Sequence, residues 1–184
     1  MAKATAASFL IPFGDCKQES NLRIQVQVER TKTQLTFVYL WEEEVEHILL
    51  PTRKDIPMRL DQLWEHTCFE AFIGFENSPF YWEINISPSG DWNFYHFDSY
   101  RNNPSPEPRI TFIQSQLREP EPTTNELTVS FDLQMLLSEN PEVNLELGLS
   151  AVIEKKDHSK TYWALLHAGS QPDFHLRESF TLKI

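Results

Sequence analysis

The chain has 184 residues with a formal net charge of −11, 40% hydrophobic and 12% aromatic residues and only 5 glycines. That length suits one well-buried core and leaves little for a second full domain, so residues 1–184 are read as a single domain. The acidity disfavours nucleic acid and anionic lipid as partners, and no stretch reaches the roughly 18 apolar residues of a membrane helix.

The opening MAKATAASFLIPF has no convincing apolar region of a secretory signal, which places the protein in the cytoplasm, and it reads as an irregular start. Leu22, Ile24, Val26 and Val28 alternate with Arg23, Gln25, Gln27 and Glu29, the pattern of a half-buried strand. Across a turn at 31–33, Gln34 to Trp41 is apolar enough on both faces for an interior strand. EEEVEHILLPTRKDIP reads as a loop with a brief strand at Ile48 to Leu50, and Leu60 to His66 as a short turn presenting Trp64.

The stretch from Trp64 to Arg101 organises the rest. It holds three of the five tryptophans and reads as two consecutive hairpins. Phe69, Ala71, Ile73 and Phe75 make one apolar row; in the next strand the parity reverses to Trp82, Ile84 and Ile86. The four residues Glu76 to Pro79 put both rows on one side of the sheet. Glu70, Phe72, Tyr81, Glu83, Asn85 and Ser87 then line the other side, with Glu70 opposite Asn85 and Glu83 opposite Phe72.

Beyond Arg101, NNPSPEP has three prolines in five residues and reads as a surface loop outside any sheet. Ile110 to Leu117 and Glu126 to Asp132 are strands about a second proline-bearing turn, REPEPTTN. Leu133 to Leu137, capped by Asp132, is the one expected short helix. A long strand from Val143 to Ile153 pairs across KKDHS with Thr161 to His167, and Phe180, Leu182 and Ile184 close the chain. These elements predict an all-β, antiparallel two-sheet sandwich of jelly-roll or immunoglobulin-like type. Cys16 and Cys68, with no C-x-x-C spacing, read as two free thiols.

Three blocks, LWEHTCFEAFIG, YWEINISPSGDWNFYHFDSYR and TYWALLHAGSQPDFHLRESF, resemble the small bacterial DOMON-like proteins, related to family 9 carbohydrate-binding modules and to haem- or sugar-binding DOMON domains. The resemblance runs from about Asp61 to Phe180. It implies a β-sandwich and, by analogy, a site for a sugar or a cofactor. Family 9 modules hold sugars between tryptophans, which points to Trp64 and Arg101 here; Trp92 and Trp163 are candidates for a second platform and equally for the core.

The first candidate constellation is Trp64, Glu70, Glu83, Asn85 and Arg101. Sugar rings offer apolar C–H faces and hydroxyls, and this set supplies an aromatic platform with carboxylate, amide and guanidinium partners. The competing reading makes Glu70, Asn85 and Arg101 a buried network that holds the sandwich together. The second group is His167, Asp173, His175 and Arg177. The first three are types that can bind metal, or belong to a turn with its histidines on backbone, and they are taken as the rim of the site. Met58 and Met135 supply no convincing haem pair with a histidine. Glu70 and Glu83 form a third possibility, acid and nucleophile of a retaining glycosidase, if their carboxyls lie roughly 5 to 5.5 Å apart. No G-x-S-x-G, H-E-x-x-H, P-loop or dinucleotide motif occurs.

The sequence therefore predicts a non-catalytic β-sandwich that binds carbohydrate or another small ligand without cofactor or metal, using Trp64, Glu70, Glu83, Asn85, Arg101, His167, Asp173 and His175. A glycoside-active hydrolase, a haem-binding DOMON-type protein and a protein-interaction subunit are the alternatives.

Overall fold

The computed structural model describes residues 4–14, 22–42, 48–118, 124–137, 140–141 and 143–184. It is built of strands β1 (Ala4–Phe9), β2 (Ile11–Pro12), β3 (Arg23–Thr31), β4 (Gln34–Glu42), β5 (Cys68–Phe75), β6 (Tyr81–Ile86) and β7 (Trp92–Phe97). There follow β8 (Ser105–Pro106), β9 (Gln114–Arg118), β10 (Thr124–Asp132), β11 (Leu145–Glu154), β12 (Lys160–Ala164) and β13 (Leu182–Lys183). They form two antiparallel sheets packed as a sandwich: β1-β3-β4-β10-β9, and β2-β12-β11-β5-β6-β7-β8 with β13 also paired to β11.

The alternating strands bury one row each. Ile24, Val26 and Val28 of β3 and Leu35, Phe37, Tyr39 and Trp41 of β4 face Phe69, Ala71, Ile73, Trp82, Ile84 and Ile86 of the other sheet. Each such side chain contributes roughly 1.5–3 kcal/mol through its removal from water. Phe69 lies between Tyr39 and Trp41, with ring centroids 4.9 and 4.8 Å away. The Tyr39 hydroxyl donates to the Glu70 carbonyl at 2.7 Å, a bond that joins the sheets and satisfies a phenol with no access to water.

The central hairpins have the expected register: Glu70 opposite Asn85, Phe72 opposite Glu83. Elsewhere the structure differs from the sequence reading. The N-terminal segment is ordered into β1 and β2, because β3 and β12 each leave an edge that it occupies. Ile48 makes a single bridge to Lys155 in place of a strand. Ser105 and Pro106 do enter a sheet, as the edge strand β8, where the missing proline N–H faces no partner. Strand β9 starts only at Gln114, since buried Ile110 and Ile113 turn into the core and the Ile110 carbonyl accepts Arg59 Nη2. Leu133–Leu137 is a turn and no helix; Asp132 Oδ1 does accept the Gln134 N–H at 2.8 Å as a cap would. Strand β12 stops at Ala164. Cys68 is buried and free, while Cys16, the expected loop at 43–47 and most of the second proline-bearing turn fall outside the described residues. Among the described residues no helix is long and apolar enough to cross a membrane.

Candidate functional site

The eight-stranded sheet is covered on both faces. Its inner face meets the core, and its outer face carries a second apolar cluster of Phe72, Tyr81, Tyr95, Phe97 and Phe180. The segment between β12 and β13 runs over that outer face and is held there by close approach to two glycines. A Cβ on Gly74 would fall 1.8 Å from Arg177 Nη1, and one on Gly148 would fall 2.8 Å from the Phe180 ring. Arg177 spends the space so gained on the Phe75 carbonyl and Glu146 Oε2, with its guanidinium 4.5 Å from the Phe180 ring centre.

This covering segment is not flush with the sheet throughout. It leaves a cavity of about 430 Å³ whose floor is Glu70, Glu83, Tyr95, Phe97, Val152, Lys160 and Tyr162. Trp64 and Glu65 stand on one wall, Arg101 and Pro104 on another, and Pro172, Phe174 and His175 come from the covering segment. Trp64 is 41% exposed and is carried by the 3-10 turn Leu63–Glu65, its ring edge-on to Tyr95. Behind that turn His66 Nδ1 contacts Glu154 Oε2 at 2.8 Å, which fastens the wall to β11.

The two floor carboxyls are almost wholly buried, at 3% and 6% exposure. Burial first, then the neighbouring Glu83, raise Glu70 well above the glutamate range, against weaker opposition from Ser150 and Arg101. Burial likewise pushes Glu83 up to about 7 although Asn85 and Arg101 work the other way. Glu83 Oε1 accepts Asn85 Nδ2 at 2.7 Å, and Glu70 Oε2 accepts the Ser150 hydroxyl at 3.4 Å. Asn85 Oδ1 is buried with no hydrogen-bond partner among the described residues.

Above them, Asp173 gathers the rim. Its carboxylate accepts Arg101 Nη2 at 3.0 Å, the Tyr100 hydroxyl at 2.5 Å and the His175 N–H at 3.1 Å. Burial opposes ionisation of Asp173, but these three donors outweigh it and hold the group below its usual range. The Arg101 N–H, at a residue with φ 48°, donates to the Tyr81 hydroxyl at 3.1 Å, and Tyr81 meets His175 Nδ1 at 2.8 Å. Burial, then the Arg101 charge, push His175 down to about 3, so its 3.8 Å approach to Glu83 is that of a neutral ring.

Of the residues singled out from sequence, Trp64, Glu70, Glu83, Arg101 and His175 line the cavity. Asn85 lies beneath it on Glu83, and Asp173 behind it on Arg101. His167 is not brought to it: Nε2 meets the Ile11 carbonyl at 2.8 Å and the ring packs edge-on against Phe13. Trp92 and Trp163 are buried in the core and give no second platform. Tyr95, Phe97, Tyr162 and Phe174 supply that aromatic surface instead. The first two follow from carrying the parity of Glu83 across one more strand, since Glu83 pairs with Tyr95 and Tyr81 with Phe97. Tyr162 follows from Val152 in the same way. Phe174 comes from an irregular segment with no periodic signal.

No family model and no curated protein matches the chain. Among solved structures it is similar to a protein from Bacteroides uniformis described as a proposed carbohydrate-binding protein, with a TM-score of 0.69 and 11% sequence identity. The likeness covers 96% of this chain and 84% of that one, and at such identity it is a likeness of fold.

Proposed function

We propose that the protein is a non-catalytic sandwich of the DOMON-like and family 9 kind that binds a carbohydrate or a similar ring-shaped polyol in the outer-face cavity. The observation that carries the reading is the composition of its walls. Five aromatic rings, those of Trp64, Tyr95, Phe97, Tyr162 and Phe174, line the cavity together with two carboxyls on its floor and a guanidinium and an imidazole at its rim. A volume of about 430 Å³ falls in the range of small-molecule sites. Apolar ring faces stack on such walls while hydroxyls find both donors and acceptors. The fold neighbour's proposed ligand class agrees with this.

The test is calorimetric titration of the purified protein with a panel of mono- and oligosaccharides, repeated on Trp64→Ala. Saturable binding weakened about 10-fold in the variant is expected, the equivalent of about 1.4 kcal/mol of stacking. No binding by any member, or binding indifferent to Trp64, overturns the proposal. Glu83, raised to about 7 beside a second carboxyl, also has the properties of a general acid. Turnover of aryl glycosides by the wild type, lost in Glu83→Gln, would therefore replace binding by catalysis.

A further inference from the structure

Not every polar atom on the cavity floor has a partner. Asn85 holds Glu83 Oε1, but no hydrogen bond from the described residues reaches Glu83 Oε2, which stands 3.8 Å from His175 Nε2. The hydrogen on that nitrogen is dictated by its neighbours. The Arg101 N–H can only donate, so the Tyr81 oxygen accepts it and the phenol hydrogen is left to donate to His175 Nδ1. A neutral ring whose Nδ1 accepts must carry its hydrogen on Nε2. A donor and an acceptor thus stand 3.8 Å apart: too far to bond one another, yet near enough for one oxygen to reach both at about 2.8 Å.

We propose that Glu83 Oε2 and His175 Nε2–H together read a single hydroxyl of the ligand, which accepts from the imidazole and donates to the carboxylate. This rests on the ring-binding reading above and names the group recognised at the floor. Only an O–H satisfies both atoms. An ether or carbonyl oxygen sets a lone pair against the carboxylate, and an ammonium sets N–H against N–H. Both side chains are largely withdrawn from solvent, 12% and 7% exposed, so the mismatch leaves a poorly hydrated polar group unpaired and the analogue is disfavoured. Tyr81 and Asn85 are positioning residues: one fixes the tautomer, the other the carboxylate rotation.

Glu83 is faced by Glu70 from β5, by Tyr95 from β7, by Tyr81 from its own strand and by Arg101 and His175 from the rim. Protonating Glu83 converts its open oxygen to a donor. The hydroxyl then accepts twice, an ether oxygen can do the same, and the discrimination lapses in acid.

The experiment uses the full chain with 15N-labelled histidine, followed by long-range proton–nitrogen NMR at pH 8, with His175 assigned from His175→Phe. The probes are cyclohexanol, methoxycyclohexane and cyclohexylammonium, which share an apolar ring and differ in the group offered. The expected result is an Nε2–H His175 that loses its fixed tautomer in Tyr81→Phe. Cyclohexanol should shift the His175 signals and bind about 10-fold tighter than the ether, a gap erased in Glu83→Gln. Tyr81→Phe is the independent variant should Glu83→Gln fail to fold. An Nδ1–H or doubly protonated His175 at pH 8, equal affinity for alcohol and ether, or no response of His175 to tens of millimolar cyclohexanol would each overturn the inference. Sugars that bind at Trp64 and leave His175 unmoved sink this inference alone; selection of the alcohol with no sugar bound sinks the carbohydrate reading alone.

Discussion

Replacing Glu83 by glutamine removes the ionisable group from the cavity floor while keeping its size and an oxygen for Asn85 Nδ2 to bond. Glu83 in the folded protein titrates at about 7, against 4.5 for an ordinary glutamate. Between those values the folded state retains a proton that the unfolded chain has released. The stability this lends is complete below about 4.5 and is lost as the pH rises through 7. At 1.36 kcal/mol per pKa unit the loss amounts to about 3 kcal/mol well above pH 7. Glu83 is only 6% exposed, so solvent screening reduces this little. Glutamine escapes the loss. The variant should match the wild type near pH 5 and exceed it by about 3 kcal/mol near pH 8.5. Removing the charge also relieves the second cause of Glu70's raised pKa, which acts in the same direction. Urea unfolding followed by circular dichroism at the two pH values gives the difference, and subtracting variant from wild type cancels the titrating groups that Glu83 does not perturb, leaving Glu83 and its effect on Glu70. An equal difference at both pH values would refute the claim that Glu83 is ionised at a cost in the folded state.

Gly74→Ala would place a methyl 1.8 Å from Arg177 Nη1 and expel the guanidinium from Phe75 and Glu146. A cost of about 2 kcal/mol by calorimetry is expected, with loss of ligand binding because Phe174 and His175 ride on the same segment. Glu107, which accepts two bonds of 2.7 Å from Arg109 and one from Trp82 Nε1, is held down to about 2. Its contribution is present above about 4.5 and lost as the pH falls towards 2, so Glu107→Gln should destabilise at pH 7 by roughly 2 kcal/mol and by much less near pH 2, as urea unfolding would show. Trp64→Ala, at a half-exposed wall, should leave the melting temperature within about 2 °C of wild type while binding falls.

Much of this molecule is legible from alternation alone. The parity of Phe69–Phe75 against Trp82–Ile86 yields the true register, and with it the fact that Glu70, Glu83 and Asn85 share a face. What alternation cannot show is whether that outer face meets water. It is covered, and the cover is an irregular segment whose docking depends on two glycines in β5 and β11, a close-approach signal visible only once those strands are paired. His167 and His175 look alike in sequence, eight residues apart. The first falls before the segment crosses the sheet and meets the Ile11 carbonyl, whereas the second falls after it and reaches the floor. Ser105–Pro106 is misread for a related reason: proline is barred from the interior of a ladder but not from its last strand, and sequence does not say which strand is last.

The same buried carboxyls could belong to a structural network, and the two readings make different demands on hydrogen bonding. A network that exists to hold sheets together is stable in proportion to its completeness, because each buried polar atom left unpaired costs about 1–3 kcal/mol. The cluster of Glu107, Arg109 and Trp82 meets that demand, with both carboxylate oxygens engaged. The floor of the cavity does not: Asn85 Oδ1 has no partner among the described residues, Glu83 Oε2 and His175 Nε2 stand apart, and Glu83 is held where its ionisation is unfavourable. Nothing in the packing between the sheets requires these groups, since the core on the other face is apolar throughout β5 and β6. A sequence under pressure for stability alone would gain by replacing them with apolar residues. On the proposal above, a ligand that arrives from outside would complete them by bringing the missing hydroxyl with it.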